Sequence, residues 1–305
     1  MTKKQQNTYM VLMDYLRRQK NLSMYPYYER ILGKTSGQQA QILLTLSEYR
    51  LKNEKDIKSY FQLLKGLDGY FDSLIEYSKE QVKRNLFLSD QSLKEVLQQI
   101  QNVIKQKENN MLVATFNLRI ADIKGINAAQ KKKYCRENKK LIGTKVLPAY
   151  EKLYSHLQAL NGNGKNENGL YYYKNGKEYY KVLVAQKTGS DKTIEEMIEI
   201  SDRSIEKCLR KLIKLQKKYP NSINEYRNHK KNIKIVQNPQ NILNKLRQKM
   251  VKYYPKAPKV SCKIKYVHKT MEEYTSPAFY MVPEIDSYKE NVIYINKAQT
   301  AELYP

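Results

Sequence analysis

The stretch YVHKTMEEYTSPAFYMVPEIDSYKENVIYIN, residues 266–296, decides how the C-terminal part of this chain folds. Just before it, apolar residues alternate with polar ones from Val260 to Tyr266, which predicts a strand with one buried face. Two further β-rich runs follow, at 278–282 and 291–296. Together the three runs predict a small antiparallel sheet near the C-terminus.

Two prolines, Pro277 and Pro283, flank the run at 278–282. Because proline has no N–H to give to a ladder, this strand is expected at an edge of the sheet, or to end at its prolines. An edge strand offers free backbone N–H and C=O groups, which can hold an extended peptide by strand addition. An ordinary structural sheet is the alternative interpretation.

The rest of the chain shows helical periodicity. Apolar residues recur at helical spacing in 57–74, 93–104, 146–160 and 243–250. The clearest helix follows Asp191, where Thr193 and Glu196 fit a capping box. Its predicted buried side is Ile194, Met197, Ile198, Ile205, Cys208, Leu209, Leu212 and Ile213. The sequence therefore predicts a mainly α-helical, α+β protein, with Cys208 in its core.

The segment 161–169, NGNGKNENG, has almost nothing to bury and predicts a loop. It divides the chain into an N-terminal helical region, 1–160, and a second region, 161–305, which contains helices and the sheet. After the loop, tyrosines on both sides of Asn175-Gly176 predict a hairpin with Asn-Gly as its turn. Tyrosines that pack are commoner than tyrosines that contact a substrate.

Ordered landmarks along nearly the whole chain resemble a bacterial family known as domain of unknown function 885. They are Ser36-Gly37-Gln38-Gln39-Ala40-Gln41, Leu46-Ser47-Glu48-Tyr49-Arg50, Asn85-Leu86-Phe87-Leu88-Ser89-Asp90, Val146-Leu147-Pro148-Ala149-Tyr150, Gly176-Lys177-Glu178-Tyr179-Tyr180, Thr188-Gly189-Ser190-Asp191, Glu272-Glu273-Tyr274, Ser276-Pro277-Ala278-Phe279-Tyr280 and Glu290-Asn291-Val292-Ile293-Tyr294-Ile295-Asn296. The resemblance implies a helical zincin-like scaffold and zinc-dependent peptidase chemistry. It also implies relatives that are often exported or lipid-anchored.

The family pattern continues into a helix of the form H-E-x-x-P-G-H, where two histidines bind zinc and the glutamate activates a water. This chain has three histidines, His156, His229 and His268, far apart in sequence, and no H-E-x-x-H. We therefore expect no metal ligand and no catalytic residue in it. The resemblance makes it the N-terminal, metal-free part of such a protein, truncated before the motif, incomplete at its C-terminal end and inactive alone.

Within the resemblance, one strand is the candidate substrate-binding element. In the complete protein it would line the cleft and hold the backbone of a peptide; its residues are Ser276, Pro277, Ala278, Phe279 and Tyr280. The expected partners are a peptide substrate and the missing C-terminal half, which would bring zinc. His268 is the best placed histidine, near the cleft rim, although a structural role is favoured. The adjacent Glu272 and Glu273 would point apart on a helix.

The net charge of +26 indicates a second class of function, because basic proteins attract nucleic acid by counterion release. Its basic clusters are short and scattered: Lys131-Lys132-Lys133, Lys139-Lys140, Arg210-Lys211, Lys217-Lys218 and Lys230-Lys231. A basic nucleic-acid-binding or scaffold protein is therefore the alternative, and a solvated lysine-rich surface is favoured. Three widely spaced cysteines predict no disulfide framework. Without a signal peptide or membrane segment, a cytoplasmic location is expected.

Overall fold

The computed structural model describes residues 1–34, 36–164, 169–222, 224–225, 228, 238–255, 260–267, 269, 272, 275–283 and 290–299. Helices dominate these residues, and a three-stranded sheet lies near the C-terminus, which confirms the predicted fold class. The helices are α1 (Lys3–Leu22), α2 (Gln38–Ser47), α3 (Glu54–Lys83), α4 (Asp90–Lys105), α5 (Met111–Ala121), α6 (Ala128–Leu141), α7 (Leu147–Ala159), α8 (Gly176–Thr188), α9 (Ile194–Lys218) and α10 (Pro239–Met250). The strands are β1 (Ser261–Tyr266), β2 (Ala278–Met281) and β3 (Glu290–Ile295).

The chain forms two compact units, and both are discontinuous in sequence. One unit comprises Met1–Leu22, Tyr180–Lys265 and Phe279–Ile295; the other comprises Ser23–Tyr179, Tyr266–Ala278 and Asn296–Pro305. We call the first the α9 unit, because it contains α9, and the second the core unit. The division of the chain into 1–160 and 161–305 stays a prediction.

The core unit holds the apolar interior, because its helices carry stripes that face one another. The α3 stripe from Ile57 to Leu74 is buried, as predicted, and α4 and α7 bury Leu93 and Leu153 completely. Aromatic rings link the helices: Tyr60 stacks on Phe116 with ring centroids 5.4 Å apart. Each large apolar side chain buried in this way contributes about 1.5–3 kcal/mol.

Local sequence signals set where the core helices begin. Asn53 and Asp56 form a capping box at the start of α3, and the Ser89 side chain accepts the backbone N–H of Ser92 at the start of α4. Such caps satisfy N–H groups that have no partner within the helix. The helix boundaries of the core unit therefore follow from a few polar side chains.

A π-helical turn, Ile142–Val146, connects α6 to α7 without a break. Pro148 lies in the first turn of α7. Proline lacks an N–H, and its ring clashes with the carbonyl four residues earlier, so a widened turn before it relieves both problems. Ile142 and Val146, at the two ends of this turn, are buried.

The helix that gives the α9 unit its name was predicted to be buried on one side, and that prediction is wrong. Thr193 and Glu196 do form the predicted capping box, but no residue of α9 is buried, and Cys208 is exposed. Ile205 and Leu212 are 56% and 57% exposed. The amphipathic pattern is present, but a stripe is buried only where another element covers it, and the described part of the chain does not cover this one.

The predicted hairpin around Asn175-Gly176 is also wrong. Asn175 has a φ of 56°, but the turn leads into α8 instead of a second strand. Gly176 is required there, because a Cβ at this position would lie 1.7 Å from the carbonyl oxygen of Leu170. Tyr179 packs against Tyr25 and Tyr28, as expected for tyrosines that pack rather than bind a substrate.

The sheet has the order β1-β3-β2, so β2 lies at an edge, as predicted. The predicted antiparallel arrangement is wrong, because the sheet is mixed. The amide of Asn291, near the start of β3, donates to the carbonyl of Ser261 at the start of β1. These two strands therefore run parallel. The residues between them, 267–289, are enough for a crossover, which the strand patterns alone do not reveal.

Candidate functional site

The edge strand β2 is the element that sequence analysis assigned to substrate binding. Ala278 and Tyr280 are exposed, whereas Phe279 and Met281 are partly buried. Phe279 stacks on Tyr294 of β3 with ring centroids 5.0 Å apart and ring planes 10° apart. The strand therefore packs one set of side chains against the sheet and presents the other set to solvent.

A buried asparagine lies at the point where β3 ends and β2 begins. Asn296 has no exposed surface, and its backbone N–H donates to the carbonyl of Pro277 at 2.9 Å. Its side-chain amide donates to the carbonyl of Glu272 at 2.6 Å, and to the carbonyl and the hydroxyl of Thr275, each at 3.1 Å. One side chain thus holds the turn that leads into β2.

Gln299 completes this arrangement. Its backbone N–H donates to the side-chain oxygen of Asn296 at 3.4 Å, and its amide donates to the carbonyl of Glu272 at 3.3 Å. We call Thr275, Asn296 and Gln299 the strand anchor. Sequence reasoning missed it, because nothing in the pattern of Asn296 distinguishes it from an ordinary polar residue after a strand.

The strand anchor also fixes which backbone groups of β2 are available. Alternate residues of a strand direct their N–H and C=O groups to opposite neighbours. Since the carbonyl of Pro277 is taken by Asn296, Phe279 and Met281 face β3. The backbone groups of Ala278 and Tyr280 therefore face the open side of the sheet, where an extended peptide can pair with them. The Tyr280 hydroxyl is held in place by the side chain of Asn291.

Among the described residues, no group of three or more His, Cys, Asp or Glu side chains is placed to hold a metal ion. These residues therefore do not fit the zinc centre that the sequence resemblance implies, and no step through zinc is assigned to them. Glu272 contributes its carbonyl to the strand anchor. His268 and Glu273 lie outside the described residues, as does His229.

His156, the one described histidine, lies on α7. Its ring nitrogen Nδ1 is 3.0 Å from the carbonyl of Lys152, one turn earlier, and the side chain is exposed. His156 therefore lies at the surface of α7.

A cavity of about 380 Å³ lies within the α9 unit, between α1, α8 and the start of α9. Arg18 dominates it: its guanidinium binds Asp14 at 2.8 Å and Asp191 at 3.0 Å, and it donates to the carbonyls of Ala185 and Ser190. The hydrogen bond to Arg18 lowers the pKa of Asp14. Arg18 therefore ties α1 to the segment between α8 and α9, which is a structural role.

Comparison with known proteins identifies a family and shows a similar solved structure. A family model described as "Bacterial protein of unknown function (DUF885)" matches residues 1–305. No curated protein matches the chain. The crystal structure of a "putative lipoprotein" from Colwellia psychrerythraea is similar, with a TM-score of 0.74 at 15% sequence identity. The match covers 88% of this chain and 49% of that one, so this chain spans about half the length of the solved structure. No helix in the described residues is long and apolar enough to cross a membrane.

Proposed function

This chain belongs to the bacterial family DUF885, and from that premise we propose that it is the N-terminal, metal-free portion of a zinc-metallopeptidase-like protein. In this proposal the chain binds an extended peptide along β2 and is inactive by itself. The metal ligands and the catalytic base come from a polypeptide that completes the fold. Zinc, once bound there, would activate a water for attack on the peptide bond.

The observation that carries the proposal is the open edge of β2. The backbone groups of Ala278 and Tyr280 face away from β3, and none of the described strands lies on that side of β2. The exposed Tyr280 side chain stands beside them. The strand anchor supports this use, because it fixes the start of β2 through bonds to a fully buried side chain. Peptide binding by strand addition needs such a rigid edge.

The length of the match supports the proposal that a second polypeptide completes the fold. Half of the Colwellia structure has no counterpart here, which is the share that a completing polypeptide would supply. The cytoplasmic location expected from sequence stays a prediction, and the word lipoprotein describes the Colwellia protein.

The decisive experiment compares the chain alone with the chain fused to a DUF885 C-terminal half that carries H-E-x-x-P-G-H. Fluorogenic peptides with added zinc are the substrates. We expect turnover only from the fusion, and loss of that turnover when the first histidine of the added motif is changed to alanine. Stoichiometric zinc and turnover in the chain alone would overturn the proposal.

A second variant tests β2 itself. Tyr280→Pro removes one outward N–H, so the fusion should lose affinity for peptides, seen as a higher KM. Val282→Pro lies beyond the end of β2, at an exposed position, and serves as the matched control. Equal KM values for both variants would remove β2 from the binding site. Tight, salt-sensitive binding of DNA or RNA by the unfused chain would favour the nucleic-acid alternative.

A further inference from the structure

The exposed apolar side chains of α9 follow a heptad spacing. Ile198, Ile205 and Leu212 are seven residues apart, and Ser201, Cys208 and Leu215 form a second series offset by three. We call these six residues the α9 seam. Alternating steps of three and four residues place all six along one line of a helix, as in helices that pair over their length.

The α9 seam is open to solvent along the whole helix. Its apolar residues Ile198, Ile205, Leu212 and Leu215 are each more than half exposed, and Cys208 is exposed as well. A helix of 25 residues is about 37 Å long. Contiguous apolar surface of this extent on a folded protein marks an interaction site.

The charges of α9 indicate what covers the seam. Residues 194–206 contain five acidic side chains and one basic, a net charge of −4, whereas residues 207–218 contain six basic side chains and no acidic one, a net charge of +6. This separation extends well beyond the first and last turns, where the helix dipole alone would favour it. A partner helix must therefore be basic opposite the first half of α9 and acidic opposite the second half.

One sequence present in this chain meets that requirement, namely α9 itself in the opposite direction. We propose that a second copy of the chain docks on the α9 seam, with the two helices antiparallel about a twofold axis between residues 206 and 207. Ile198 then meets Leu215 of the second copy, and Ile205 meets Cys208 of the second copy. Each acidic half lies along a basic half, whereas a parallel pair would place like charges together.

The test measures the mass of the purified chain in solution by light scattering. At about 100 µM the expected mass is that of two chains, each of 36.1 kDa. Ile205→Glu places a charge in the seam and should raise the dimer Kd at least about tenfold. Ile200→Glu is the matched control, because it makes the same change at an exposed position of the same helix off the seam. Far-UV circular dichroism should be unchanged in both variants.

Variants with inverted charges on α9 test whether the partner that covers the α9 seam is a second copy of the chain. A variant with Lys207, Lys211 and Lys214 changed to Glu, and another with Glu199, Asp202 and Glu206 changed to Lys, should each be monomeric alone. Mixed together they should form a dimer, because each then offers the charges that the other needs.

Three results would overturn the inference. The first is a chain that stays monomeric at 100 µM. The second is a dimer that Ile205→Glu leaves unaffected. The third is dimer formation by each inverted variant alone. A monomer whose Cys208 is alkylated freely, and is protected only in the fusion with a C-terminal half, would instead assign the α9 seam to that half. The measurements use the unfused chain, so they stand or fall independently of the proposed peptidase role.

Discussion

The backbone N–H of Asn296 donates to the carbonyl of Pro277, which joins the end of β3 to the start of β2. The same residue uses its buried side chain to bind two further backbone carbonyls and one hydroxyl. The backbone that leads into β2 is therefore held by one side chain that lies outside any strand.

Asn296→Ala should lower the free energy of unfolding by about 1–3 kcal/mol, because it removes the Asn296 amide that donates to the buried carbonyl of Thr275. Urea denaturation measures the change. Asn161→Ala, at an exposed position after α7, is the control and should change stability by less than about 0.5 kcal/mol. Equal effects of the two substitutions would show that the strand anchor contributes nothing to stability.

Two leucines, one buried and one exposed, test how much burial contributes to the free energy of unfolding. Leu93 in α4 is fully buried, whereas Leu118 in α5 is 72% exposed. Leu93→Ala should cost about 2–5 kcal/mol of unfolding free energy because it leaves a cavity, and Leu118→Ala should cost under about 0.5 kcal/mol. Thermal and urea unfolding of the two variants, measured side by side, give the comparison. A small effect at Leu93 would contradict the core described for α3, α4 and α7.

Alkaline pH should destabilise the chain through its buried tyrosines. Burial raises the pKa of Tyr60 to about 12, against the opposing effect of Arg119, and burial raises the pKa of Tyr77 to about 12. A group whose pKa is raised on folding contributes stability that is complete below its ordinary pKa, about 10 for tyrosine, and is lost as the pH rises through the folded value. The loss should therefore fall between about pH 10 and 12.

Urea unfolding at pH 8, 10 and 11, combined with tyrosinate absorbance, measures this loss. Tyr77→Phe should make stability depend less on pH in this range, and Tyr171→Phe, at a residue 64% exposed, should leave the dependence unchanged. Identical profiles for the wild-type chain and Tyr77→Phe would count against the stated cause.

Arg18 should protect the segment between α8 and α9 from proteolysis. Its guanidinium holds Ala185, Ser190 and Asp191, so Arg18→Leu should speed tryptic cleavage after Lys192 severalfold. Arg18→Lys should not restore protection, since an ammonium cannot reproduce the planar set of donors. Arg17→Leu changes the preceding, exposed residue and should leave the cleavage rate as it was.

Sequence alone predicted those features that depend on local periodicity and caps. The α3 stripe and the Thr193–Glu196 capping box are examples, because each involves residues within a few turns of one another. The prediction that one side of α9 is buried was wrong, because periodicity shows which side of a helix is apolar and not whether another element covers it. The parallel pairing of β1 with β3 and the role of Asn296 depend on contacts between distant segments. The run at 278–282 was predicted to lie at an edge or to end at its prolines, because the effect of proline is local, and β2 does lie at an edge.

The π-turn at Ile142–Val146 sets the rotation of α7 about its axis relative to α6. An α-helix turns by about 100° per residue, so the additional residue in this turn rotates α7 by that angle relative to an unbroken continuation of α6. Tyr150, Leu153 and Leu157 are fully buried in this rotated position. Deleting Gly143 would make the helix regular and would swing those three side chains toward water. A regular helix at this point would therefore remove the packing of α7.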